Sequence, residues 1–126
     1  MEIYEEVRSA FSKLINTLID EVALIPKVSY GINAIVSSFK KDSGKNKVIV
    51  SKFNFPTVAH IWFSHSQKLE FKVVLANGSL EDYEQRIDDK TLAISLTHVF
   101  YVTGFREYIR EVVDLAHENR SFSYFR

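Results

Sequence analysis

Apolar residues recur at regular intervals in the first segment of this chain. Residues 2–19 place six of them on one stripe, at Ile3, Val7, Phe11, Leu14, Ile15 and Leu18. Intervals of three and four positions are typical of an amphipathic α-helix, whose apolar side chains share one face. We therefore predict that the chain begins with a helix over residues 2–19.

Four short apolar runs, each ended by turn residues, have the length and composition of buried β-strands. They cover residues 22–26, 47–51, 69–76 and 91–99, and a helical pattern follows each of them. These helices begin near Ser29, near Pro56, after a capping Ser79 and near Phe105. Strands that alternate with helices favour right-handed crossovers and a parallel sheet. The predicted fold class is α/β, with α-β-α layers around a mostly parallel sheet of about four strands.

Parallel sheets bind ligands outside the carboxyl ends of their strands, so three loops are candidates for a site. The loop over residues 26–31 brings Ser29 to a helix N-terminus, where a phosphate is favoured, although a plain helix cap has the same pattern. The loop over residues 52–57 contains Phe55, which either stacks on a planar ligand or packs in the core. The loop over residues 97–104 adds threonine, histidine and tyrosine side chains.

Composition excludes several classes of protein. The 126 residues contain no cysteine, which excludes disulfide scaffolds, thiol nucleophiles and cysteine-ligated metals. Sixteen basic and sixteen acidic residues balance, so there is no electrostatic footprint for nucleic acid. No apolar run reaches the roughly 20 residues that span a bilayer, and the acidic N-terminus is unlike a signal peptide. We expect a cytoplasmic protein that interacts with neither nucleic acid nor membrane.

Familiar catalytic and metal-binding motifs are missing. His60 and His65 are five positions apart, which places them on different faces of a helix, and no carboxylate completes a ligand set with any histidine. We therefore expect no metal site. The chain also lacks the glycine-rich nucleotide-binding loops and the serine nucleophile elbow.

Four segments in order, VALIPKVSYGIN, VIVSKFNFPTVAHIW, YEQRIDDKTLAISLTHVFYVTGF and VVDLAHE, resemble the class V aminotransferases. These are fold-type-I pyridoxal phosphate enzymes, among them cysteine desulfurases and isopenicillin-N-epimerase-like proteins. The resemblance runs from about Tyr4 to Asn119. It implies that residues 1–119 are part of the family's large, cofactor-binding domain.

The resemblance assigns five residues to a pyridoxal phosphate site. Ser29 matches the hydroxyl that binds the phosphate, Val28 supplies a neighbouring backbone amide, and Gly31 is the glycine of the same turn. Phe55 matches the ring that stacks on the pyridine. Tyr101 falls where desulfurases have an asparagine near the cofactor hydroxyl.

Two groups that the family's chemistry requires have no match. In the family, the helix that ends in AHE is followed by a strand with an aspartate that pairs with the pyridine nitrogen, and later by a lysine that binds the cofactor covalently. Residues 120–126, RSFSYFR, match none of this, and none of the ten lysines lies in the lysine motif. We expect a truncated aminotransferase-like protein that is not catalytic alone. The alternatives are half of a split enzyme, completed by another chain, and a non-catalytic interaction module.

The missing part of the family's sheet also predicts a partner. In complete domains the first strand is separated from the fourth by strands that have no match here. Residues 22–25 must then dock beside residues 91–96, remain poorly ordered or pair with another chain. An apolar strand edge at residues 91–96 would favour pairing, so we predict a homo-oligomer or a companion chain.

Overall fold

The computed structural model describes residues 2–41, 44–119 and 122–125, the last four by their backbone only. The chain forms two compact units, residues 1–31 and residues 32–126. No helix within the described ranges is both long and apolar enough to cross a bilayer.

The first unit begins with α1, which spans Glu2–Ile15 and is followed by a 3-10 turn over Ile19–Glu21. The predicted helix is four residues shorter than expected, because Asn16 has a φ of 56° and turns the chain out of the helix. The predicted apolar stripe is present, but its side chains are exposed, from 48% at Val7 to 79% at Leu14.

Residues 22–26 were predicted to be the first strand, and that prediction is wrong. They have no regular secondary structure. The guanidinium of Arg8 donates to the carbonyl oxygens of Val22 at 2.8 Å and of Ile19 at 2.9 Å. A strand requires a neighbouring strand for its backbone groups. Here the Arg8 side chain of α1 satisfies the carbonyl of Val22 and that of Ile19 in the preceding 3-10 turn instead.

The second unit is built on a four-stranded sheet. Its strands are β1 (Lys47–Ser51), β2 (Lys72–Ala76), β3 (Thr91–Leu96) and β4 (Phe122–Phe125). They lie in the order β2-β1-β3-β4, and every pair is parallel. The expected parallel sheet of about four strands is confirmed, but its fourth strand comes from the segment that was predicted to match nothing in the family.

Helices cover both faces of this sheet, which confirms the layered α/β fold. They are α2 (Val28–Ser38), α3 (Pro56–Leu69), α4 (Leu80–Arg86) and α5 (Ile109–Glu118). Val48 and Val50 pack with residues of α2 and α3, whereas Ile49 between them packs with α4 and α5. Alternate residues of a strand point to opposite faces, so β1 contributes to both cores.

The predicted open edge at residues 91–96 does not exist. β3 is hydrogen-bonded to β1 on one side and to β4 on the other, where Ile94 lies opposite Ser123. α5 returns the chain to the start of the sheet, and residues 122–125 then pair with the edge that would otherwise have been free. Both sides of β3 are therefore paired within the described residues, so this fold does not require another chain to pair along β3.

We predict that Ile49→Ala lowers the free energy of unfolding by about 2–5 kcal/mol, because Ile49 is completely buried between the sheet and α4 and α5. Urea unfolding measures the change. Val102→Ala, at a residue that is 70% exposed, is the control and should change stability by less than about 0.5 kcal/mol. Equal effects of the two substitutions would contradict the packing described here.

Candidate functional site

The first predicted site segment lies at the beginning of α2. Val28 and Ser29 are the first two residues of this helix, and Gly31 follows within the same turn. Backbone N–H groups in the first turn of a helix have no acceptor within the helix, and they carry a partial positive charge. The structure thus places Val28 and Ser29 where their amides and the serine hydroxyl suit a phosphate.

Gly31 is close to the segment that precedes the helix. A Cβ atom at this position would lie 2.7 Å from Cδ1 of Ile25, so any larger residue would force the isoleucine side chain to move. Glycine therefore allows residues 22–26 to pack closely on the first turn of α2. This explains a glycine inside a helix, where it is otherwise unfavourable.

Phe55 stands at the carboxyl end of β1, directly before α3. It is the N-cap residue, and Pro56 begins the helix, a position that proline tolerates well. Asn54 anchors the turn, since its backbone N–H donates to Ser51 at 3.0 Å and its side-chain amide donates to the carbonyl of Ser95 at 3.0 Å. The Phe55 ring is 46% exposed. The ring therefore lies at the carboxyl ends of the strands and is not buried in the core.

Residues 97–107 form a loop that folds back on itself after β3. Val99 and Arg106 form an antiparallel bridge, and the N–H of Phe100 donates to the carbonyl of Phe105 at 2.9 Å. The turn is completed at Gly104, whose φ is +72°. Tyr101 lies near the tip and contacts the edge of Phe55, with ring centroids 5.4 Å apart and planes at 65°.

A cavity of about 300 Å³ lies where these two segments meet. Its lining residues are Phe55, Thr97, His98, Val99 and Tyr101. The structure therefore brings together the two predicted residues of the second unit, Phe55 and Tyr101. It also adds His98, an exposed side chain that the resemblance did not assign to the cofactor.

Beneath this loop lies a buried acid that sequence reasoning missed. Glu107 is 4% exposed, and its carboxylate accepts the backbone N–H of Thr97 at 3.0 Å and the hydroxyl of Tyr83. Burial raises the pKa of Glu107, although these hydrogen bonds oppose the effect. Burial and the nearby carboxylate raise the pKa of Tyr83, so its hydroxyl stays protonated as a donor. The pattern had placed Glu107 inside a helix from Phe105, whereas α5 begins at Ile109.

Two stacked phenylalanines connect the loops that form the site. Phe53 and Phe100 stack at a centroid distance of 4.3 Å, with planes 22° apart, and join the two loops that carry Phe55 and Tyr101. Gly78 lies against this pair in a left-handed conformation, with a φ of +89°.

In the part of the chain that the structure describes, no three histidine, aspartate or glutamate residues are grouped as a metal site.

Comparison with known proteins gives consistent matches. The family model for class V aminotransferases matches residues 1–124. An uncharacterized aminotransferase of Bacillus subtilis is 32% identical over 123 residues, which are 96% of this chain and 33% of that protein. The chain thus spans about a third of this relative's length. The matched residues extend beyond Asn119 into β4, so the segment 120–126 cannot be treated as wholly unmatched.

Solved structures agree on the fold. The apo cysteine desulfurase from Thermococcus onnurineus superposes with a TM-score of 0.84 at 19% identity, over 97% of this chain and 32% of that one. A C-DES structure with glycine covalently linked to its pyridoxal phosphate has a TM-score of 0.83 at 11% identity, over 99% of this chain and 34% of that one. At these identities the similarity establishes the fold.

We predict that Gly78→Ala destabilises the protein more than Gly104→Ala. Both residues have positive φ, which costs alanine about 1–2 kcal/mol. At Gly78 a Cβ would also lie 2.9 Å from Phe100 and 3.1 Å from Phe53, whereas at Gly104 it would meet nothing within 4 Å. Overpacking should add roughly 1–3 kcal/mol at Gly78, measurable by urea unfolding. Equal losses would mean that the phenylalanine pair yields without cost.

Proposed function

Because the chain belongs to the class V aminotransferase family, we propose that these 126 residues contribute part of a pyridoxal phosphate site and are not catalytic alone. The observation that carries the proposal is the cavity at the carboxyl end of the sheet, in which the half-exposed Phe55 ring stands beside Tyr101. Support comes from the family match and from the cofactor in a solved neighbour of the same fold. We also propose a cytoplasmic location, as expected from the sequence.

The residues that line the cavity fit the ring of this cofactor. Phe55 offers an aromatic face next to about 300 Å³ of space, which is enough for a substituted pyridine. The edge contact with Tyr101 limits rotation of the Phe55 ring. We propose that Phe55 stacks on the pyridine, holds it in plane and excludes water from one side of it.

The first turn of α2 fits the phosphate. Val28 and Ser29 carry backbone N–H groups there, and the Ser29 hydroxyl is a further hydrogen-bonding group. Pro26 lies two residues before this turn, and Lys27, one residue before it, adds a positive charge close in sequence. In our proposal, Val28, Ser29 and Gly31 of the first unit form the phosphate cup.

Catalysis needs groups beyond this cup and ring. Pyridoxal phosphate, when bound, supplies an electron sink for bonds broken at an amino-acid carbon. The family uses a lysine and an aspartate to anchor the cofactor and tune its ring. Because none of the ten lysines lies in the family's motif, we propose that both groups come from polypeptide outside these 126 residues.

A companion chain is the second candidate, and two observations favour it. The chain covers a third of its relative, and the apolar stripe of α1 is exposed. A split enzyme would use another polypeptide to supply the lysine and the aspartate. A non-catalytic interaction module is the third candidate, and it would have no use for the cavity beside Phe55. For the partner, a homo-oligomer is the alternative to a companion chain.

We predict that Phe55→Ala weakens cofactor binding by about two- to tenfold, the range expected for loss of one aromatic stacking contact. The probe is pyridoxamine 5′-phosphate, because its amine cannot condense with the chain's ten lysines. Binding is followed by calorimetry on the whole protein.

Phe63→Ala is the matched control, since Phe63 lies on α3 and is 47% exposed against 46% for Phe55. It should leave the affinity unchanged. If both variants bind as tightly as the parent protein, Phe55 is not the stacking ring. If the parent protein does not bind the probe, the proposed site is wrong.

If the chain is half of a split enzyme, we expect the protein isolated from its own host to be part of an assembly that includes a lysine-bearing chain. Native mass spectrometry would then show a mass above 14.6 kDa that is not a multiple of it, with pyridoxal phosphate present. A mass of 14.6 kDa or a simple multiple, without cofactor, would leave a non-catalytic module or a homo-oligomer.

A further inference from the structure

One residue, Glu107, holds both ends of the loop that lines the cavity beside Phe55. The carboxylate of Glu107 accepts the N–H of Thr97, where the loop begins, at 3.0 Å. The backbone N–H of the same residue donates to the carbonyl of His98 at 3.0 Å. Side chain and main chain of Glu107 therefore close the loop at its base.

The other oxygen of Glu107 attaches this base to the body of the domain. It accepts the hydroxyl of Tyr83, which is fully buried on α4, and the Ser51 hydroxyl at the end of β1 also hydrogen-bonds to the carboxylate. A buried carboxylate with several donors is costly to disturb, because each donor left unpaired loses a charge-assisted hydrogen bond. The loop is thus connected to β1 and α4 through a single side chain.

Four of the five residues that line the cavity belong to this loop, namely Thr97, His98, Val99 and Tyr101. Glu107 does not line that cavity, so any effect on a ligand there passes through the loop. We propose that Glu107 is a positioning residue, whose buried carboxylate clamps residues 97–107 and thereby sets the cavity beside Phe55. The identity of the ligand rests on the proposed function, whereas the clamp itself does not.

The clamp depends on the ionised carboxylate. A protonated Glu107 would have fewer acceptor sites and would need an acceptor of its own. Burial raises the pKa of this carboxyl, so protonation should begin above the ordinary range of a glutamate. The charged and titratable groups around it are Tyr83, with the Asp82–Arg86 ion pair on the same helix, and His98, Arg106, Tyr108, Arg110 and Glu111 along the adjoining cavity.

Amide hydrogen exchange on the ligand-free protein tests the clamp. In Glu107→Ala we expect exchange at Thr97 and Phe100 to become at least about tenfold faster, the equivalent of one lost hydrogen bond. The amide of Val58, which donates to Phe55 at 2.9 Å in another element, should not change. Glu111→Ala removes the same charge from α5 and is the control. Exchange within threefold of the parent protein at Thr97 and Phe100 would overturn the clamp.

Glu107→Gln provides a second test, which remains decisive if the alanine variant does not fold. The chemical shift of the Thr97 amide should titrate in the parent protein above the ordinary carboxyl range and should not titrate in Glu107→Gln. The same titration in both proteins would show that another group is responsible and would overturn the proposal.

Binding of pyridoxamine 5′-phosphate tests the link to the cavity. We expect about tenfold weaker binding to Glu107→Ala and no change in Glu111→Ala. Glu107→Gln should also bind more weakly than the parent protein at pH values above the parent's transition, where Glu107 is ionised. Faster exchange with unaltered affinity would overturn positioning. If the parent protein does not bind this probe, the proposed function fails, and the amide measurements still decide the clamp.

Discussion

The parallel pairing of β1 with β3 is the interaction on which the second unit depends. Val48, Ile49 and Val50 are completely buried, with one core on each face of the sheet. Because parallel strands end at the same edge, the residues that follow β1 and β3 must come close together. Phe55 and Tyr101 are neighbours for this reason, although 46 positions separate them along the chain.

Buried polar side chains, which are unusual in an apolar core, lie beneath the cavity at the carboxyl ends of β1 and β3. Ser51, Asn54, Thr97 and Glu107 are all buried at the carboxyl ends of β1 and β3. Their hydrogen bonds join the turn after β1, the loop after β3 and α4. A rigid base with exposed rings above it is an arrangement suited to holding a planar ligand, since the ring positions do not have to be ordered upon binding.

The first unit differs from its sequence pattern in two places. Its segment at residues 22–26 has the composition of a strand but bonds to Arg8, and its amphipathic helix exposes the apolar stripe. Among the described residues, the apolar stripe of α1 has no partner that covers it. β3 needs no such partner, because β4 covers its outer edge.

The sequence by itself determined the fold class and three of the four strands, because burial periodicity and turn residues are local signals. The family followed separately, from the resemblance of four segments in order. The resemblance singled out Phe55 and Tyr101, and the structure places their rings next to each other because β1 and β3 run in the same direction. Tertiary structure alone decided that residues 122–125 are a strand and residues 22–26 are not, since strand formation depends on a neighbour that no local pattern encodes. It likewise decided that Glu107 is buried and hydrogen-bonded at the base of the loop, because α5 begins at Ile109 and not at Phe105. The sequence pattern is silent on which buried donors a carboxylate will meet, because those contacts join residues far apart in the chain.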